Sequence, residues 1–117
     1  MIGPETEITV QELSRALASP EREFMLLDVR QGWELELAKI DDPRLITIPM
    51  NRIVVEVLSV LPPPGPDHKP VYVICHHGVR SATVVRWLRQ QGWVNTFNIQ
   101  GGLERFADEV DPEIGTY

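Results

Sequence analysis

Two short apolar runs, FMLLDV at residues 24–29 and VYVIC at 71–75, constrain this chain more than anything else in it. FMLLDV is continuous and closed by charge, the pattern of a strand buried on both faces. VYVIC reads as another buried strand and ends on the one cysteine, Cys75. Around them, strand-type and helix-type segments alternate. T-V-Q-E at 9–12 is a capping box, and Leu13, Ala16 and Leu17 continue a helical stripe that Pro20 ends, so a helix follows a short strand near Ile8. QGWELELAKI is helical over its first part, LITI at 45–48 is β-type, and NRIVVEVLSVL carries Ile53, Val54, Val57, Leu58 and Leu61 at the spacing of a core-facing helix. SATVVRWLRQQ reads as a helix with Gly92 at its C-terminal cap, TFNI at 96–99 as a strand, and GGLERFADEV as a closing helix. The alternation predicts an α/β fold, a parallel sheet with helices on both faces. PPPGPDHKP at 62–70 is a surface connector, because proline removes amide donors.

A chain of 117 residues has material for one core. The expected organisation is a single domain over 5–112 followed by a tail, 113–117. A net charge of −6 argues against nucleic acid as partner, since phosphate binding needs a basic surface. No apolar run approaches the roughly 18 residues of a membrane span, and no targeting leader is evident at the start, so a soluble, cytoplasmic protein is expected. A lone cysteine forms no internal disulfide, and a reducing compartment keeps it free for packing or for chemistry. Of the 11 cationic side chains only Lys39 and Lys69 are lysines. The rest are arginine, which recognises oxyanions through a planar fork of donors.

Cys75 ends a buried strand and Ser81 begins a helix, so the thiol lies at the carboxyl edge of the sheet, where ligands of α/β folds collect. Gly78 allows backbone conformations in which consecutive amides point inward as a nest. That nest, the helix terminus and Arg80 together favour thiolate over thiol and make Cys75 a nucleophile. A buried cysteine that only packs is the competing reading. The segment H-H-G-V-R-S behind it weighs against packing alone.

L-L-D-V-R at 26–30, I-P at 48–49, C-H-H-G-V-R-S at 75–81, L-R-Q-Q-G-W at 88–93 and I-Q-G-G-L at 99–103 together resemble the rhodanese domain in its single-domain form, from Ile8 to about Pro112. The resemblance implies a five-stranded parallel sheet in the order 1-5-4-2-3, with Cys75 at a topological switch point beside Asp28 and Arg30. It also implies a sulfurtransferase that works in two half-reactions. Cys75 takes the outer sulfur of thiosulfate or a persulfide donor, and a thiol, cyanide or protein acceptor removes it. The substrate-binding residues it implies are His76, His77, Gly78, Val79, Arg80 and Ser81, whose amides from His76 to Arg80 hold the persulfide, with Asp28 and Arg30 in support. No cofactor is implied. The tail E-V-D-P-E-I-G-T-Y resembles the end of rhodanese domains fused to enzymes that load sulfur-carrier proteins, which makes such a carrier the candidate protein partner. His76 stands where many members have a basic residue, Lys39 where histidine is common, and Phe106 where tryptophan is usual.

Two other functions fit parts of the pattern. Cysteine phosphatases and arsenate reductases also set a cysteine in an anion loop ending in arginine, but with one residue more than His76, His77, Gly78 and Val79 provide. A non-catalytic interaction domain would not need Cys75, Gly78 and Arg80. A metal site is not expected: neighbouring histidine side chains should diverge, and a third ligand at useful spacing is missing, since His68 lies in the proline loop. Trp87 and Trp93 are read as packing residues, Trp33 as a rim residue, and Gly101 and Gly102 as a turn.

Overall fold

A computed structural model describes residues 4–117. Five parallel strands, β1 (Glu7–Ile8), β2 (Met25–Asp28), β3 (Leu45–Thr47), β4 (Val71–Ile74) and β5 (Thr96–Ile99), form one sheet in the order β1-β5-β4-β2-β3. The expected topology is therefore the one adopted. Every residue of β2 and β4 is buried, as their unbroken apolar sequence requires. Met25, Leu27, Val71 and Val73 face one core with α3 (Ile53–Val60) and α4 (Val79–Gln90). Leu26, Tyr72 and Ile74 face the other with α1 (Val10–Leu17) and α5 (Gly102–Glu109). The period of two along each strand divides the same run between two helical layers.

The segment after Gln31 is helical over its first part, as expected, and makes a single turn, α2 (Gly32–Leu35). Two details differ from the sequence expectations. Helix α4 begins at Val79, two residues before Ser81, because Gly78 in the left-handed region (φ 93°) turns the chain directly into it. In α3, Ile53 and Val57 are buried while Val54 and Leu58 are 65% and 76% exposed. Ile53, Val57 and Leu61 recur every fourth residue and use up the face that meets the sheet, which leaves the other two outside.

Thr9 caps α1 through both halves of a capping box: its side chain accepts from Glu12 N at 3.1 Å, and Glu12 Oε1 accepts from Thr9 N at 3.3 Å. Thr9→Ala leaves the Glu12 amide without that acceptor. We expect a loss of about 1 kcal/mol in urea unfolding, with the circular dichroism of the native state unchanged.

Candidate active site

The loop from Cys75 to Gly78 joins β4 to α4 at the carboxyl edge of the sheet, between neighbouring strands β2 and β5. The Cys75 side chain is 1% exposed and packs in the core, and it is also surrounded by donors. Its Sγ accepts from the amides of Gly78 (3.1 Å) and Ser81 (3.4 Å) and lies 3.2 Å from Ser81 Oγ. Ser81 is the third residue of α4. Its amide has no partner inside the helix, so the sulfur serves as the acceptor that a capping side chain otherwise supplies. The positive end of a 12-residue helix thus falls on Cys75.

The loop is held from behind by α5. Leu103 N donates to Cys75 O (2.8 Å) and Glu104 N to His76 O (3.0 Å). A side chain on Gly102 would place its Cβ 2.5 Å from each of those carbonyl oxygens, and the residue has φ +64°. The paired glycines are thus a turn, as expected, and also the point where two backbones meet.

Asp28 and Arg30, expected in support, form a two-pronged ion pair that is 1% and 0% exposed. Burial opposes the Arg30 charge, and the bonds to Asp28 more than offset it, leaving its pKa raised. Removing either partner would strand the other charge in the core, at a cost of roughly 3–5 kcal/mol. Arg80 does not turn to the sulfur as its closest partner. Its guanidinium makes two bonds to Glu34, at 2.7 and 2.8 Å, and these raise its pKa more than the weaker influence of Cys75 does. Val79 is exposed.

Three contributors were missed in the sequence. Glu34 is buried beneath Arg80 and accepts from Gln31 N (2.9 Å) and Tyr117 Oη (2.9 Å). Tyr117 accepts from Arg30 at 2.9 Å, and its ring stacks on His76 with 3.9 Å between centroids. Asn98, on β5, takes the Ser81 hydroxyl hydrogen at Oδ1 and donates through Nδ2 to Glu7 and to Gly78 O. A carboxylate three residues after Gln31 at a helix start repeats the Thr9–Glu12 spacing and could have flagged Glu34. No comparable signal marks Tyr117 or Asn98. Trp33 is 62% exposed and meets Tyr117 edge-on, Trp93 is buried with Nε1 bonded to Pro62 O, and Phe106 is buried in the α1–α5 core.

The reasons for dismissing a metal site do not hold in the fold. The His76 and His77 rings stack with 4.0 Å between centroids instead of diverging, and Glu104 supplies a third ligand atom. The turn at Gly101 brings α5 under the loop, a contact that sequence spacing does not reveal. Burial, followed by the nearness of His77, lowers the His76 pKa from the ordinary histidine value and so disfavours the charged ring.

The model of the Rhodanese-like domain matches residues 9–109. The chain belongs to this family. It is 33% identical over 116 residues to the Rhodanese-like/PpiC domain-containing protein 12, chloroplastic, of Arabidopsis thaliana, covering 97% of this chain and 38% of that protein. It is 32% identical over 126 residues to the adenylyltransferase and sulfurtransferase MOCS3 of Aedes aegypti, covering 100% of this chain and 27% of that protein. The chain thus spans about a quarter to two-fifths of the curated relatives it matches. Among solved structures, SSP1007 of Staphylococcus saprophyticus superposes with a TM-score of 0.71 at 36% identity, covering 89% of this chain and 95% of that one. The human single-domain sulfurtransferase TSTD1 superposes with a TM-score of 0.69 at 21% identity, covering 89% and 96%, a likeness of fold. Among the described residues no helix is long and apolar enough to cross a membrane.

Two predictions test how this rhodanese-like site is built. Gly102→Ala combines a positive φ with a backbone collision, and we expect it to destabilise the protein by more than about 1 kcal/mol in urea unfolding. Glu34 is held down to about 2 from an ordinary 4.5, first by Arg80, against its own burial. A depressed carboxylate stabilises the fold fully above its unfolded pKa and loses that contribution as pH falls toward the folded one. Urea midpoints should therefore drop between pH 4.5 and 2 more steeply in the wild type than in Glu34→Gln.

Proposed function

We propose that this rhodanese-like domain is a sulfurtransferase that carries sulfane sulfur on Cys75 as a persulfide. The observation that carries the reading is the pair of main-chain donors on Cys75 Sγ, the Gly78 and Ser81 amides, at the N-terminus of α4. Such donors stabilise a sulfur anion where it forms, with no reorganisation at the moment of reaction. In the first half-reaction the Cys75 thiolate attacks the outer sulfur of thiosulfate. The new Cys75–sulfur bond forms as the bond to the sulfonate sulfur breaks, and sulfite leaves with that bond's electron pair. In the second, cyanide or a thiolate attacks the terminal sulfur, leaves as thiocyanate or a persulfide, and returns the thiolate to Cys75. The main-chain amides from His76 to Arg80 hold the terminal sulfur, the Ser81 amide stays on Cys75 Sγ, and Asp28 and Arg30 fix the strand edge beneath them.

A sulfur-carrier protein is the proposed macromolecular acceptor, supported by the similarity to the adenylyltransferase and sulfurtransferase proteins MOCS3 and UBA4. The reducing conditions of the cytoplasm would keep Cys75 free. Phosphatase chemistry is the poorer fit. Four residues separate Cys75 from Arg80, a ring for one sulfur atom, and the Arg80 guanidinium is committed to Glu34 and not turned toward a tetrahedral oxyanion.

Incubation with thiosulfate should add the mass of one sulfur atom to the intact protein, and cyanide should remove it as thiocyanate. Cys75→Ser should keep the fold and lose both the mass gain and the transfer. Transfer retained in that variant, or hydrolysis of an aryl phosphate faster than sulfur transfer by the wild type, would overturn the reading.

A further inference from the structure

We propose that His76, His77 and Glu104 form a binding site for a divalent transition-metal cation of the Zn2+ class at the rim of the cysteine loop. Each offers one ligand atom, a ring nitrogen from each histidine and a carboxylate oxygen from Glu104, and these atoms lie within 4.8 Å of one another. His77 Nε2 is 3.2 Å from Glu104 Oε2. Two ligands on one tetrahedral zinc, with bonds of about 2.0–2.1 Å, stand about 3.3 Å apart, so this pair is already at the separation the ion requires. Two imidazoles and one carboxylate are a donor set that binds zinc while leaving a fourth position open.

The backbone beneath these groups is fixed before any ion arrives. Glu104 lies in the first turn of α5, and its own amide is bonded to His76 O at 3.0 Å, so the two ligand-bearing segments are tied to each other. His76 is braced between the Tyr117 and His77 rings, at 3.9 and 4.0 Å. His77 and Glu104 have side chains 55% and 59% exposed, so they can swing the short distance that closes the third side of the triangle. The surroundings favour positive charge. The adjoining cavity, about 700 Å³, is lined by His77 and by Glu104, Asp108 and Glu109 against the single guanidinium of Arg105. Arg105 is itself 3.6 Å from Glu109.

The site does not depend on the proposed sulfur transfer and is tested without it. Cys75→Ser removes the sulfur as a competing ligand, and ZnCl2 is titrated calorimetrically into that variant. We expect a single ion per chain, and a visible absorption band of a tetrahedral complex when Co2+ replaces Zn2+. In the same background, His77→Ala and Glu104→Gln should each weaken zinc binding by at least about tenfold. Both side chains are exposed, and circular dichroism should show both proteins folded. Loss of binding on Cys75→Ser would mean that the sulfur held the ion. Unchanged affinity in Glu104→Gln would mean that the cluster does not. Either result overturns the proposal.

Discussion

The cysteine loop is suspended from the first turn of α5, and the rest of the site depends on that attachment. The carbonyls of Cys75 and His76 are taken by the amides of Leu103 and Glu104. Because a trans peptide points its C=O and N–H in opposite directions, fixing these two carbonyls also turns the amides of His76 and His77 away from α5. Two helix termini therefore act on one short loop from opposite sides. Helix α5 binds its carbonyls, and α4 offers unpaired amides to its sulfur. The approach is possible because Gly102 has no side chain, since even a Cβ would overlap both carbonyl oxygens.

A chain of polar contacts secures the opposite side of the site. Asp28 holds Arg30, Arg30 donates to Tyr117, Tyr117 donates to Glu34, and Glu34 holds Arg80. Two carboxylates and two guanidiniums alternate through one phenol, so each buried charge faces its opposite or a hydrogen-bonding group. Burial pushes the Tyr117 phenol up, keeping it neutral and able to donate to Glu34 while accepting from Arg30. The arginine of the loop is consequently a fixed element of the wall. Its charge reaches Cys75 through space, while its hydrogen bonds are spent on Glu34.

The strands were legible because each carries its own burial pattern. An unbroken FMLLDV or VYVI needs no distant partner to declare itself a central strand. The capping box at Thr9 and the turn at Gly78 are likewise encoded within a few residues. What could not be read is what the fold brings together from far apart. Glu34 lies 46 residues from Arg80, and Tyr117 lies 83 from Glu34. The capping spacing after Gln31 marks Glu34 as a helix-start residue but not as the partner of Arg80, and nothing local distinguishes Tyr117 from an ordinary surface residue. The stacked histidines were misjudged for the same reason: Tyr117 supports one ring and Glu104 meets the other, and both arrive by tertiary contact. Val54 and Leu58 failed differently. A short helix in which apolar residues surround the axis has no unique buried stripe, and the sheet selected Ile53 and Val57.

The serine beside the sulfur adds a constraint that follows from counting hydrogens. Asn98 donates through Nδ2 to the Glu7 carboxylate and to Gly78 O, so its Oδ1 faces Ser81 as an acceptor. The Ser81 hydroxyl has a single hydrogen, and it is directed to that oxygen. In the contact between Cys75 Sγ and Ser81 Oγ the sulfur must then be the donor, which it can be only as a thiol. Loss of that proton leaves two acceptors facing each other at 3.2 Å, so the anion depends for its donors on the amides of Gly78 and Ser81. The bonds of Asn98 to Glu7 and Gly78 hold its Oδ1 toward Ser81. The amides of Gly78 and Ser81 point at the sulfur in either state. The two amides, and not the hydroxyl, thus serve both the neutral thiol and its anion.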